Sequence, residues 1–264
     1  MSSSPHAASE AITPGSRIYE SDASVAQYLE FHFGPAVFGV PNFPQACIDA
    51  AVRHQEGRSW RRGLDAGCAV GRASFELAKH CEHVDAFDFS AAFVAACERL
   101  QAAGEIDYGI PTEGELREPR VASLAPHGLA ETAGRVQFSV GDACRIAPQL
   151  TAYDVVFAGN LIDRLYEPVA FLDGIVARLQ PGGLLVITSP YTWLEDYTPR
   201  ERWLGGRTEG RAGEGEPLTT LEGMRRALAG RCELIDCEDI PFVIRETARK
   251  HQHTIAEASF WRKP

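Results

Sequence analysis

The sequence predicts an α/β fold built on a doubly wound, mostly parallel sheet, and three observations carry that prediction. Short apolar runs alternate with helix-period segments through the middle of the chain, the pattern of strand–helix–strand units. A glycine-containing turn between Gly67 and Gly71 joins the first of these runs to a helical stretch. Two late strand-like stretches, 232–238 and 253–261, are placed to close the sheet as an antiparallel edge.

Residues 1–18 hold Ser, Ala, Pro and Gly with little to bury and read as a flexible leader. From Ser21 a cap-like start, helix-period apolar spacing and a stop at Gly34–Pro35 predict a helix, and a second spans 43–54. The sheet starts with a strand at 63–66, followed by a helix at 73–80, a strand at 83–88 and a helix at 90–102. Further strands are expected at 136–140, 153–158 and 184–188, with a helix at 168–179 ahead of the last. Residues 103–134 carry scattered Gly, Pro and Glu where a compact connection would be brief, so they read as an inserted loop or flap. A second insertion, 207–216, is Gly- and Glu-rich and reads as disordered or as a lid. The remainder, 19–264, is expected to form a single domain.

Composition narrows the function. Hydrophobic residues at 45% and charged residues at 23% suit an ordinary globular core. A formal charge of −10 argues against tracking nucleic-acid phosphates, which needs clustered Lys and Arg, and favours small-molecule chemistry. Seven cysteines without CxxC or Cys/His ligand spacing suggest neither a disulfide framework nor a metal site, and fit reduced thiols in the cytoplasm. No apolar run approaches the roughly 20 residues that span a bilayer, so no membrane partner is expected.

Chemistry concentrates at strand ends. Asp65-Ala66-Gly67-Cys68-Ala69-Val70-Gly71 turns sharply where a ligand can approach the backbone, although a glycine turn of this kind also serves helix–strand packing. Asp88, seventeen positions after Gly71, ends the second strand, where a carboxylate can accept from both hydroxyls of a ribose; Phe89 follows it. Ser90 is the better cap for the next helix, which leaves Asp88 for a ligand. Gly141-Asp142-Ala143 follows another strand, so Asp142 can accept from an adenine amine, or close the strand as an Asx turn.

The order of these elements resembles that of class I methyltransferases, with 153–165 (Tyr-Asp-Val-Val-Phe-Ala-Gly-Asn-Leu-Ile-Asp-Arg-Leu) and Leu179-Gln180-Pro181-Gly182-Gly183 as their fourth and fifth strands. The resemblance implies a Rossmann-like sheet that binds S-adenosylmethionine and releases S-adenosylhomocysteine. It implies contacts from Asp65, Gly67, Cys68, Gly71, Asp88, Phe89, Asp142 and Ala143, with Asn160 and Leu161 lining the methionine end. Ala69 stands where many members have a middle glycine, tolerable for a ligand without phosphate; a nicotinamide-dependent oxidoreductase, the runner-up, needs close approach of a pyrophosphate there.

Two later segments, 188–206 and 241–254, are similar to those of the methyltransferase domain that ends the ovothiol-biosynthesis enzymes, usually behind an iron-dependent sulfoxide synthase. This similarity covers 19–261 and implies N-methylation of 5-thiohistidine (4-mercaptohistidine) on the imidazole nitrogen nearest the side chain, with a separate sulfoxide synthase as functional partner. His251, His253 and Asp163 are candidates to hold the reactive tautomer, the two histidines being as readily exposed residues of an edge strand. Tyr28, Tyr191, Trp193 and Tyr197 are candidates to wall the ring. Arg245 is a candidate for the substrate carboxylate, Glu246 or Asp196 for its ammonium, and an Arg245–Glu246 ion pair is the plain alternative. A methyltransferase of another small heteroaromatic or thiol metabolite, and a non-catalytic cofactor-binding partner of the synthase, stay open on residue type alone.

Overall fold

A computed structural model describes residues 18–209 and 215–264. Apart from Ile18 the expected leader lies outside the described residues, as do 210–214 of the second insertion. Among the described residues no helix is long and apolar enough to cross a membrane.

Helix α1 (Asp22–Phe33) starts where Ser21 accepts the Ser24 N–H at 3.2 Å and stops at Gly34. Helix α2 (Phe43–Arg53) is capped by Asn42 and takes Pro44 in its first turn, where a missing N–H costs no helical bond. Then follow β1 (Trp60–Ala66), α3 (Arg72–Leu77), β2 (Cys81–Asp88) and α4 (Ala91–Ala103). Strands β3 (Glu105–Pro111) and β4 (Arg117–Ser123) precede β5 (Val136–Val140), β6 (Tyr153–Gly159), α5 (Pro168–Arg178) and β7 (Leu179–Ser189). The chain ends with β8 (Arg207–Glu209), β9 (Glu216–Leu218), α6 (Thr220–Leu228), β10 (Glu233–Arg245) and β11 (His251–Arg262).

Seven strands form one sheet in the order β10-β11-β7-β6-β1-β2-β5. Pairings from β7 to β5 are all parallel, and β11 runs antiparallel to both β7 and β10. The expected antiparallel edge is there, with the reversed strand one place in from the rim. The sheet is buried on both faces, so its strands feed two cores alternately. Val155 and Phe157 of β6 pack with Leu29, Phe33 and Phe93, whereas Val156 and Ala158 pack with Phe171, Ile175 and Met224. Each large apolar side chain so buried contributes about 1.5–3 kcal/mol relative to exposure.

Two insertions differ from the expected loops. Within 103–134, β3 and β4 pair antiparallel over seven positions, and Ile106, Ile110 and Ala122 are buried while much of the remaining face is polar. That one-sided burial gave β4 an Arg-, Glu- and Pro-rich composition that reads as loop. In the second insertion β8 pairs with β9. Helix α6 was not anticipated in the sequence.

The winding positions the site. From β1 the chain moves outward through β2 to β5, then returns beside β1 as β6 and winds the other way to β7. The crevice past the carboxyl ends of β1 and β6 is where such sheets receive ligands. Arg72, fully buried, ties the covering helices to it, donating to Glu76 at 2.8 Å, to the His32 carbonyl at 3.3 Å and to Gln45 at 3.3 Å.

Candidate active site

A cavity of about 260 Å³ opens at that crevice. Its floor is the β1–α3 turn. Gly67 adopts φ +77°, donates to the Phe87 carbonyl at 2.8 Å, and would place any Cβ 2.9 Å from the Leu161 side chain. Ala69 also holds a left-handed φ, +47°, and its N–H reaches Asp88 Oδ2 at 2.9 Å, so the missing middle glycine does not prevent the turn. Gly71 is not in the cavity wall; a Cβ there would meet Cys97 and Phe138 at 3.1 Å, so it serves packing between α4 and β5.

Three carboxylates line the cavity from successive strand ends. Asp65 is buried, accepts from Ser74 Oγ at 2.6 Å through Oδ2, and leaves Oδ1 without a partner. Burial, aided by the nearby Asp88 charge, pushes its carboxyl up to about 7. Asp88 accepts Ala69 N–H and Ser90 N–H at 2.9 Å, one on each oxygen, and burial raises it to about 6 against those two bonds. Each Asp88 oxygen keeps a lone pair for a further donor. Ser90 caps α4 as expected, accepting from Phe93 N–H at 3.1 Å. Asp142 closes an Asx turn onto Cys144 N–H at 2.8 Å, as one of its two readings expected, also accepts from Tyr166 Oη at 2.7 Å, and lines the cavity.

Opposite stand groups from β6 and from the helices before the sheet. Asn160, at φ +50°, is pinned by its N–H to the Thr188 carbonyl at 2.8 Å and shares a side-chain bond with Thr188 Oγ1. Asp163 is wholly buried; its Oδ2 accepts from Thr192 N–H, Thr192 Oγ1 and Arg164, while Oδ1 has no partner. Arg164 also lies 5.0 Å over the Tyr197 ring. Tyr19 approaches Tyr197, hydroxyl to hydroxyl, at 3.5 Å and packs with Tyr28 and Phe93. The segment is fastened by Glu20, whose carboxylate accepts the first N–H groups of α4, Ala91 and Ala92.

Sequence reasoning named Asp65, Gly67, Cys68, Asp88, Phe89, Asp142, Ala143, Asn160, Leu161, Asp163, Tyr28 and Tyr197, all in the cavity wall. It expected the segment 19–33 to cover the site without singling out Tyr19 or His32, and it missed Phe43, Phe93, Tyr166, Phe242 and Ile244; all of these line the cavity too.

Several substrate-side candidates need correction. Along β10, consecutive side chains turn to opposite faces, so Phe242 and Ile244 line the cavity while Val243 and Arg245 face away. Residues paired across a ladder share a face, and His251 pairs with Arg245 and His253 with Val243, which removes both histidines from the cavity. Arg245 instead binds Glu118 at 3.0 Å and Glu30 at 3.5 Å, and Glu246 binds Lys250 and Gln252. Tyr191 donates to Glu257 at 2.7 Å, Trp193 is packed on Trp203 with its N–H on Thr220, Asp196 is exposed, and none of the three lines the cavity. Arg245→Ala therefore lowers the unfolding midpoint in denaturant, by leaving Glu30 buried beside Tyr108 alone, and leaves the Michaelis constant for substrate unchanged in steady-state assay.

The donor set fits a nucleoside with an amino-acid tail. Asp88 offers two lone pairs to vicinal hydroxyls, Asp142 and the Ala143 backbone offer an acceptor and a donor to a purine edge, and the orphaned Asp65 oxygen suits an α-ammonium.

Comparison with known proteins agrees. Residues 64–185 match the family model described as "Methyltransferase domain". No curated protein sequence matches the chain. The fold is similar to the solved [4+2]-cyclase SpnF (TM-score 0.57, 16% identity, 96% of this chain and 97% of that one). It is also similar to the N-methyltransferase NodS of Bradyrhizobium japonicum WM9 in complex with S-adenosyl-L-homocysteine (TM-score 0.50, 14% identity, 91% and 98%). A third is an S-adenosylmethionine-dependent methyltransferase of Clostridium acetobutylicum (TM-score 0.51, 12% identity, 83% and 90%). At these identities the structures speak for the fold, and a cyclase among them shows that one fold hosts several reactions. The match over residues 64–185 and the strand-end carboxylates together support an S-adenosylmethionine-dependent methyltransferase on a Rossmann-like sheet.

Proposed function

We propose that this enzyme methylates the side-chain-proximal imidazole nitrogen of 5-thiohistidine, forming ovothiol. The observation that carries this reading is where two segments meet. The stretches 188–206 and 241–254, on which the similarity to the ovothiol methyltransferase domain rests, both deliver side chains to the cavity wall, Pro190 and Tyr197 from the first and Phe242 and Ile244 from the second. A flat, mercapto-substituted ring with a polar tail suits walls of that aromatic and aliphatic kind with a few fixed polar groups.

S-adenosylmethionine supplies an electrophilic sulfonium methyl group. The chain's part is positioning: Asp88 and Asp142 fix the nucleoside, and Asp65 and Asn160 stand at its amino-acid end. The ring nitrogen must present a free lone pair along the line of transfer, while the more nucleophilic thiolate is turned away. Tyr19, Tyr28 and Tyr197 line the same cavity, the hydroxyls of Tyr19 and Tyr197 3.5 Å apart, and are candidate donors to sulfur. Burial raises the Tyr28 phenol to about 12 and Tyr19 higher still, so both stay protonated donors at neutral pH. Substrate would come from an iron-dependent sulfoxide synthase, and the expected compartment is the cytoplasm, where seven free cysteines stay reduced.

Incubation with S-adenosylmethionine and synthetic 5-thiohistidine, with the product located by mass spectrometry and NMR, tests the proposal. Methyl on the proximal ring nitrogen is the expected result. Methyl on sulfur keeps the enzyme class and changes the product, and absence of turnover with cofactor bound sends the search to other small heteroaromatic or thiol metabolites.

A further inference from the structure

His32, near the end of α1, is 6% exposed, lines the cavity, and has an Nδ1 without a hydrogen-bond partner among the described residues. Burial lowers its pKa to about 3, with Arg72 beside it adding to the effect, so the ring is neutral. A buried polar atom left unpaired costs about 1–3 kcal/mol, a cost that a ligand hydrogen bond relieves. Its ring is set by Tyr28 and Phe31, with centroids 5.9 and 5.3 Å away, and its backbone carbonyl is held by Asn42 at 2.9 Å and Arg72 at 3.3 Å. Residues on both sides of it, Tyr28 and Phe43, line the same cavity.

We propose that His32 orients the methyl acceptor, a ring nitrogen of its neutral imidazole accepting the N–H of the substrate's heteroaromatic ring. An azole with one N–H and one bare nitrogen exists as two tautomers. Fixing the proton on the nitrogen that faces His32 leaves the lone pair on the other, the one that takes the methyl group. A cationic side chain there could only donate, and would select the wrong tautomer or draw in the thiolate. The proposal rests on a thiohistidine-like N–H azole as substrate, and it adds the residue that sets which nitrogen reacts.

The test compares His32→Phe, which keeps the ring's bulk, with His32→Asn and His32→Gln, which restore an amide acceptor. Affinity for S-adenosyl-L-homocysteine by calorimetry, unchanged in all three, establishes folding and cofactor binding. His32→Phe is expected to raise the Michaelis constant for 5-thiohistidine about tenfold, the worth of one net hydrogen bond, and to divert methyl groups to sulfur or the distal nitrogen. At least one amide variant recovers the wild-type product ratio. In the wild type, the ¹⁵N resonances of His32 are expected to move when 5-thiohistidine joins the homocysteine complex, which tests the contact without any substitution. An unchanged product ratio in His32→Phe, or unmoved resonances on substrate binding, overturns the role while leaving the proposed substrate intact. Wild-type enzyme that neither binds nor methylates 5-thiohistidine overturns the substrate, and this inference with it.

Discussion

Asp88→Ala is expected to weaken S-adenosyl-L-homocysteine binding by about 1.5–3 kcal/mol, the worth of hydrogen bonds to a charged acceptor, which calorimetry reads as roughly a ten- to hundredfold rise in Kd. Two losses coincide. The ribose hydroxyls lose their acceptor, and the Ala69 and Ser90 N–H groups, each 2.9 Å from an Asp88 oxygen, lose theirs, so the turn that forms the floor loosens as well. Asp88→Asn is nearly isosteric and should fare little better, because its NH₂ must face one of those two N–H donors. The pH dependence follows from the sign of the shift. Burial raises Asp88 to about 6, and the ligand's hydroxyls favour the carboxylate, so wild-type affinity climbs as pH rises through about 6 and levels off above it. Asp88→Ala removes that contribution to the rise, and an affinity equal to wild type at pH 8 would take Asp88 out of the site.

The strand-end side of the cavity was legible in the sequence because it is local. Its candidate residues sit where strands end beside glycine, aspartate or asparagine, and strand β5 was read at its observed limits, 136–140. The helix starts at Ser21 and Ser90 were equally local, each a hydroxyl three residues from the N–H it accepts. The substrate half is assembled across the chain. Tyr19 and Tyr197 meet over 178 residues, and no spacing rule connects them. His32, Phe43 and Phe93 lie on helices where an apolar stripe reads as core, which for most of its members it is. Arg245 and the two histidines were chosen by residue type, without the β10–β11 register that decides which face they occupy. One residue along, Ile244 had the position and lacked the chemistry that attracts notice.

Arg164 carries the second large expected effect, and it falls on stability. Asp163 is fully buried, and Arg164 is its sole cationic partner in the described structure, at 3.0 Å. The same guanidinium donates to the Thr192 carbonyl and hydroxyl at 2.8 Å, binding the segment after β7 to the end of β6. Arg164→Ala leaves a buried carboxylate neutralised only by Thr192 donors, a change that costs about 3–5 kcal/mol when a pair is fully enclosed. Arg164 is one-quarter exposed, so the lower end, about 3 kcal/mol, is expected from denaturant unfolding. Asp163→Asn combined with Arg164→Ala should be less destabilised than the sum of the single changes, since the amide removes the uncompensated charge. The cycle also separates structure from chemistry at Asp163. With Oδ2 committed to three donors, only Oδ1 can reach a ligand. If that oxygen handles a proton, Asp163→Asn loses kcat while retaining most of its stability; if Asp163 serves only to anchor Thr192, kcat survives and the unfolding midpoint alone moves.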